Sequence, residues 1–382
     1  MPPERAVLVC PYGCELLLLT TEQPESTRST QIELEVTMAA PQSAFFERRA
    51  LCGGALSLFM PKFKESVLLS TFSNYKIGGP ARFFFNAKNE KEVVWAAKEA
   101  KAKKLPVFIL SGGTNLLIGD EGFKGLVLRP DITSIKIKGT TLTVGAGVLM
   151  SDLLDVTTKK SLSGLEWAGG LPGALGGAIR GNAGCFGGEI KDSIVSVRSL
   201  DRKTMKIVER TAKQCAFSYR DSIFKQRNGN DVILSATLRL EKGDKKTIAA
   251  SIKEKIEYRK RHHPLEYPNI GSTFKNVPLH SIHKEGSAKY NAALAKATLE
   301  HKGSTFSIKT DPFPVISAAK LISESGLRGV SYGGAMISPK HPNFIVNILD
   351  ASAPDVQNLI TLAKAEVKKK FGVVLEEEIQ II

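Results

Sequence analysis

Nine of the twenty residues from Gly169 to Gly188 (GGLPGALGGAIRGNAGCFGG) are glycine, a density that few packed elements tolerate. Glycine is entropically costly in regular structure, so the stretch argues for backbone lying flat against something large and planar, with its amides exposed to it. The other reading is a flexible linker. Linkers of that kind carry Ser and Lys, whereas this stretch interleaves Leu171, Ala174, Leu175, Ala178 and Ile179.

A second glycine turn, Ser111-Gly112-Gly113-Thr114-Asn115, directly follows the strand-like run Val107 to Leu110. Two glycines let the backbone turn and point successive N–H groups outward, a nest suited to anions and to phosphate above all. Such turns also occur as plain structure, and this one alone does not decide. Tyr219 to Ser222, Gly271 to Asn276, His341 with Asn343, and Glu376 to Glu378 are scattered, and spacing connects none of them. Each also reads as a surface pair, a turn or an exposed strand end. The chain has no G-x-G-x-x-G after a strand, no G-x-x-x-x-G-K-[ST], no G-x-S-x-G and no H-E-x-x-H. Rossmann, P-loop, common hydrolase and metalloprotease readings therefore fall.

At 382 residues the chain suits two or three domains. Its formal charge of +15 calls for a negative partner, whether nucleic acid, membrane surface or a small molecule rich in phosphate and carboxylate. Basic and aromatic residues are not interleaved as a nucleic-acid surface requires. No apolar run of about 20 residues could span a bilayer. The five cysteines (10, 14, 52, 185 and 215) are odd in number and irregular in spacing, which fits a reducing cytoplasm rather than a disulfide framework. Cys10 with Cys14, and His262 with His263, lack a second pair at zinc-like spacing, so no metal is expected.

Residues 1–65 show no sustained period and are expected to be a poorly ordered extension, with Met38 or Met60 as an alternative start. From Thr71 the pattern is β-α-β: a strand at Arg82 to Phe85, a helix from Glu90 to Lys104 and a strand at Val107 to Leu110. Further strands are expected at Gly125 to Leu128, Ile135 to Ile137 and Leu142 to Val144, then a helix capped by Ser151. Strands at Ile194 to Leu200, Lys206 to Glu209 and Val232 to Leu240 lead to a boundary near Gly243. A basic helix, Lys246 to His262, halted before Pro264, and another at Ala353 to Lys370 belong to the last part. The expected class is α+β, divided at 66–130, 131–243 and 244–382.

Taken in order, nine pieces resemble the UDP-N-acetylenolpyruvoylglucosamine reductase family of flavoenzymes, which serve peptidoglycan precursor synthesis. They are Lys76 to Arg82 (KIGGPAR), Leu110 to Leu117 (LSGGTNLL), Gly164 to Gly173 (GLEWAGGLPG), Asn182 to Gly184 (NAG) and Tyr219 to Phe224 (YRDSIF). Gly271 to Asn276 (GSTFKN), Gly333 to Ala335 (GGA), His341 to Asn347 (HPNFIVN) and Val374 to Ile379 (VLEEEI) complete the set. The likeness covers about Thr71 to Ile382.

The resemblance implies a two-part FAD-binding module of the vanillyl-alcohol-oxidase type, with the flavin between the parts, followed by an α+β substrate-binding domain. Ser111, Gly112, Gly113, Thr114, Asn115 and Leu116 would bind the FAD diphosphate. Pro172, Gly173, Gly177, Asn182, Ala183 and Gly184 would lie along the cofactor. NADPH would reduce FAD, and flavin N5 would then give hydride to the enolpyruvyl vinyl carbon of a nucleotide sugar. Arg220 and Glu378 would stabilise the resulting enol-like charge, and Ser272 would donate the proton. Tyr219, Lys275, Asn276 and His341 would meet the substrate. The implied enzyme is a cytoplasmic monomer with small-molecule partners. The alternative is another FAD oxidoreductase of the same superfamily, which would not need Arg220, Ser272 and Glu378 together.

Two departures stand out. The short turn Gln226 to Asn230 leaves no room for the tyrosine-bearing lid loop of one family branch, so the chain resembles the lidless branch. An insertion of about forty residues, 277–315, carries His280, His283, His301 and a helix-like Ala288 to Glu300. It is expected to cover the substrate mouth in place of the lid. Glu378 lies close to Ile382, where a terminus is expected to fray.

Overall fold

The computed structural model describes residues 61–227, 229–310 and 313–382, and the backbone of three short antiparallel strands, Arg5–Val9, Glu15–Leu19 and Glu33–Glu35. Met1–Pro61 and Lys62–Ile382 are separate compact units. The expectation of poor order over residues 1–65 falls mostly outside the described residues.

Within Lys62–Ile382 the first part is a four-stranded sheet with one helix. β1 (Lys64–Leu68), β2 (Pro80–Ala87), α1 (Glu90–Ala102), β3 (Val107–Ile109) and β4 (Phe123–Pro130) follow in sequence, and the strand order is β1-β2-β4-β3. Only β1–β2 is antiparallel; α1 makes the crossover that parallel neighbours require. Asn89 caps α1 by accepting from Glu92 N–H, and Val93, Ala96, Ala97 and Ala100 recur at helical spacing to form its buried stripe.

The second part is an antiparallel sheet of five strands: β5 (Ile135–Lys138), β6 (Thr141–Gly145), β7 (Ile194–Asp201), β8 (Lys206–Thr211) and β9 (Asp231–Arg239), in the order β8-β7-β9-β6-β5. The central β9 is buried on both faces, which its near-continuous apolar run VILSA anticipates. Between β6 and β7 lie α2 (Met150–Lys159) and α3 (Leu175–Arg180), the latter inside the glycine-dense stretch. Ser151 does not cap α2. Leu149 holds the cap position without a side-chain bond, and Ser151, one residue inside the first turn, directs its hydroxyl to Asp152 instead.

The third part opens with α4 (Lys245–His262), capped by Asp244, which accepts from Thr247 N–H. Its core is built by α5 (Ala288–Lys296), β10 (Thr298–His301), β11 (Ser304–Lys309), α6 (Ala318–Glu324), β12 (Ala335–Ile337), β13 (Ile345–Asn347) and α7 (Ala353–Phe371). The helix expected over Ala288 to Glu300 stops at Lys296, because Ala297 takes φ 51° and the chain turns into β10. The segment 277–315 contributes Val277, Leu279, Tyr290, Ala293 and Ile308 to this core. Leu299 and Phe306 are buried, and Phe306 meets the Phe371 ring edge-on at 5.4 Å.

The chain end ties the third part to the first. Gln380–Ile381 pairs in parallel with Leu116–Leu117, and Gly119 N–H donates to the Ile382 carbonyl at 2.7 Å. Tyr75, fully buried, donates to Ile345 O at 2.8 Å, and Asn347 donates back to Tyr75 O at 3.0 Å.

Candidate active site

The glycine-dense stretch folds as a turn, the short helix α3 and a tight hairpin pairing Gly184–Cys185 with Gly188–Glu189. Its glycines serve two purposes. Gly169 and Gly188 face protein, since a Cβ there would lie 2.7 Å from Ile252 O and 2.5 Å from the Trp167 ring. Gly173 and Gly177 pack directly against the Ser111–Asn115 turn, and both stretches line the same cleft. Gly173 has φ 100°, and a Cβ on it would lie 2.7 Å from Thr114 Oγ1; a Cβ on Gly112 would lie 2.6 Å from Gly173 Cα. Gly177 N–H donates to Ser111 Oγ at 3.1 Å. Only glycine lets the two turns approach this closely.

The cleft has a volume of about 1360 Å³, beyond the roughly 300–1,000 Å³ typical of a pocket for one drug-sized ligand. Among the described residues, the backbone N–H groups of Gly112, Gly113, Thr114 and Asn115 have no hydrogen-bond partner. They are free to bind a diphosphate as a nest. The residues present therefore fit FAD: a phosphate-binding turn on one wall, and side-chain-free backbone on the other for a flat ring to lie against.

Ser111, Gly112, Gly113, Thr114, Asn115, Leu116, Pro172, Gly173, Gly177, Ala183 and Gly184 all line the cleft. So do Tyr219, Arg220, Ser272, Lys275, Asn276, His341 and Glu378. Asn182 does not. It is fully buried, and its side chain donates to Ser218 O (2.9 Å) and Glu189 (3.2 Å) while accepting from Lys191 N–H (3.3 Å). Its amide braces the turn that carries Arg220.

That turn is tight: Ser218 and Asp221 exchange two backbone hydrogen bonds at 3.1 Å, with Tyr219 and Arg220 at the tip. Arg220 is held at φ 56°, a conformation that side-chain-bearing residues adopt at a cost and that recurs at functional sites. Its Nε lies 2.7 Å from Glu378 Oε1, both side chains being about four-fifths buried (22% and 18% exposed). The carboxylate sits off the N–H axis, so the contact is ionic rather than a directed hydrogen bond. Burial works against the guanidinium charge, but the adjacent Glu378 outweighs it, and the proton is held more tightly than usual. Arg220 also lies over the Tyr219 ring at 5.5 Å.

Glu378 is not frayed. Its N–H donates to Thr273 O (2.8 Å), and its carbonyl accepts from Asn115 Nδ2 (3.1 Å). Gly271 (φ 84°) turns the chain into Ser272, and Asn343 fixes the following segment through Thr273 and Phe274. Lys275 pairs with Glu376 at 3.0 Å.

Sequence reasoning missed Arg259 and Lys225. Arg259 projects from α4 into the cleft, donating to Gly169 O (2.9 Å) and contacting Cys185 Sγ at 3.0 Å. Lys225 donates to Arg220 O at 2.8 Å, and burial followed by the nearby Lys275 charge makes it easier to deprotonate. Both look like ordinary solvated cations in a basic chain. His263 and His341 also line the cleft, their rings 5.5 Å apart. Burial pushes each imidazole down to about 4, helped by Arg259 beside His263 and Lys309 near His341.

A two-sheet α+β module with paired glycine turns over one cleft defines an FAD-dependent oxidoreductase, and residues 81–209 match the FAD binding domain family. Residues 263–382 match the C-terminal domain of UDP-N-acetylenolpyruvoylglucosamine reductase. The reductase of that name from Clostridium tetani is 36% identical over 320 residues, covering 84% of this chain and 92% of its own. That from Lachnoclostridium phytofermentans is 38% identical over 321 residues, covering 82% and 91%. The solved Thermus caldophilus reductase superposes with a TM-score of 0.63 at 28% identity, covering 84% of this chain and 98% of its own. The chain belongs to the UDP-N-acetylenolpyruvoylglucosamine reductase family.

Proposed function

We infer that the protein reduces the enolpyruvyl group of UDP-N-acetylenolpyruvoylglucosamine to the lactyl ether of UDP-N-acetylmuramate, using NADPH. The observation that carries this reading is the convergence of Arg220, Glu378 and Ser272 on the cleft bordered by the two glycine turns. The chemistry FAD supplies when bound is two-electron transfer, moving hydride from NADPH to the vinyl terminus of the substrate. Negative charge then develops on the adjacent carbon and its carboxylate. Arg220 meets that charge with a permanent cation whose fork matches a carboxylate and beside which Glu378 lies at 2.7 Å. Its burial strengthens the interaction relative to water.

Ser272 donates the proton that completes addition of H⁻ and H⁺ across the double bond. A serine hydroxyl is a weak acid, so the role suits a strongly basic carbanion and little else. Among the described residues its hydroxyl has no hydrogen-bond partner, leaving it available to the substrate. The neutral imidazoles of His263 and His341 can donate and accept hydrogen bonds without adding charge at neutral pH. A different superfamily substrate would leave the Arg220, Ser272 and Glu378 set without a purpose.

The test is product identity. Incubated with NADPH and the enolpyruvyl nucleotide sugar, the protein is expected to form a product heavier by two hydrogens. Consumption of NADPH without that product would remove this substrate assignment.

A further inference from the structure

The insertion ends at the cleft, although its bulk is structural. Val277–Pro278 pairs with Val315–Ile316 and closes its base, while Ile308 and Lys309 extend that sheet by pairing with Ile316 and Val315. β11 alternates strictly, with Ser304, Phe306 and Ile308 buried and Thr305, Ser307 and Lys309 exposed. The buried set locks the strand into the core; His301 adds a 2.8 Å hydrogen bond to Phe371 O. The strand's last exposed position, Lys309, is thereby delivered to the cleft wall. Among the described residues Lys309 has no carboxylate partner, unlike Lys275, which Glu376 already engages. Just beyond, Phe313 meets the Tyr219 ring edge-on at 5.1 Å and 88°. Tyr219 is held on two further sides, by Arg220 over its ring and by Asn276 N–H, which donates to its hydroxyl at 3.3 Å.

On these observations we propose that the hairpin Thr298–Lys309 is a fixed substrate-recognition wall, in which Lys309 binds the anionic nucleotide portion of the sugar substrate, and that Phe313 is a positioning residue for Tyr219. The inference rests on the substrate assignment above. A lid must close over each substrate; a wall built on a packed hairpin is in place beforehand, so no ordering cost accompanies binding. A lysine at the rim of a cleft raises the local concentration of an anionic ligand and engages phosphate as a point charge. Phe313 restrains Tyr219 through an edge-to-face contact, and Tyr219 in turn lies against Arg220.

The experiment compares Lys309→Met with the unaltered full-length flavoprotein in steady-state kinetics, varying each substrate. The expected result is a KM for the enolpyruvyl nucleotide raised about tenfold, with kcat and the KM for NADPH within about threefold. The affected KM is also expected to lose part of its dependence on salt. Phe313→Ala is expected to slow flavin reoxidation by the enolpyruvyl substrate several-fold at saturation, with Phe313→Tyr restoring it and flavin reduction by NADPH little changed. Unchanged KM in Lys309→Met, or an equal rise for NADPH, overturns the role of Lys309. Equal slowing of both half-reactions by Phe313→Ala overturns the positioning role. Failure of the unaltered enzyme to turn over the enolpyruvyl nucleotide would instead strike the substrate assignment.

Discussion

The side-chain amide of Asn115 donates to the backbone carbonyl of Glu378 at 3.1 Å, joining the Ser111–Asn115 turn to the carboxylate that partners Arg220. Gln380 N–H returns the connection to Asn115 O at 3.1 Å. The cofactor turn and the end of the chain therefore form one structural unit. Deleting residues 380–382 removes the parallel pairing with Leu116–Leu117 and is expected to weaken both flavin retention and turnover. Glu378→Gln keeps that pairing, so flavin content and reduction by NADPH should hold within about twofold. Reoxidation by the enolpyruvyl substrate should fall roughly 10²-fold, the scale of losing one electrostatic partner. Stopped-flow absorbance of the two half-reactions separates the cases.

Ser272→Ala tests the proton donor. Flavin reduction by NADPH should be nearly intact, whereas reoxidation by the enolpyruvyl substrate should slow by roughly 10²–10⁴-fold. Equal loss in both halves, measured by the same rapid mixing, would remove Ser272 from its assigned step.

Gly112→Ala probes the close approach of the two glycine turns. The new methyl would start 2.6 Å from Gly173 Cα, a backbone atom that cannot swing aside. Overpacking of this kind costs roughly 1–3 kcal/mol. The variant is expected to fold but to purify with much less flavin, its affinity for added FAD at least tenfold weaker by fluorescence quenching. Gly139→Ala, whose methyl would meet nothing within 4 Å but whose φ of 61° strains a side-chain-bearing residue, is the control for a backbone cost away from the cleft, and its flavin content should hold.

The two cleft histidines set a pH dependence of stability. Each has its pKa lowered from 6.5 to about 4, chiefly by burial, so the native state favours the neutral ring while the unfolded chain takes up a proton near 6.5. Their stabilising effect is complete above about pH 6.5 and is lost as pH falls toward 4. After allowance for partial exposure, roughly 1 kcal/mol each, or a few degrees of Tm, is expected. Differential scanning fluorimetry from pH 7 to 4.5 should show that fall, and His263→Gln with His341→Gln should flatten it.

Elements with local signatures were legible from the residues. The α1 stripe of Val93, Ala96, Ala97 and Ala100 and the apolar run of β9 each state their period plainly. The α5 end was not, because Ala297 adopts a left-handed conformation with no glycine or proline to announce it. The site residues were legible only as ordered motifs; nothing local brings Ser272, Arg220 and Glu378 to one cleft. Asn182 stood out through its motif but works by bracing Ser218, a long-range bond that no spacing encodes. Arg259 and Lys225 escaped for the opposite reason, since their neighbours in sequence are equally basic and only tertiary packing selects them. The glycine stretch pointed correctly to exposed backbone, yet several of its glycines exist to admit Trp167 and α4 rather than a cofactor.

The most direct measurement is an anaerobic titration of the purified protein followed by its visible spectrum. A yellow flavin band is expected that bleaches with NADPH and returns, without oxygen, when the enolpyruvyl nucleotide sugar is added. A protein that stays colourless when FAD is supplied, or a bleached flavin that this substrate leaves unchanged, would contradict the account.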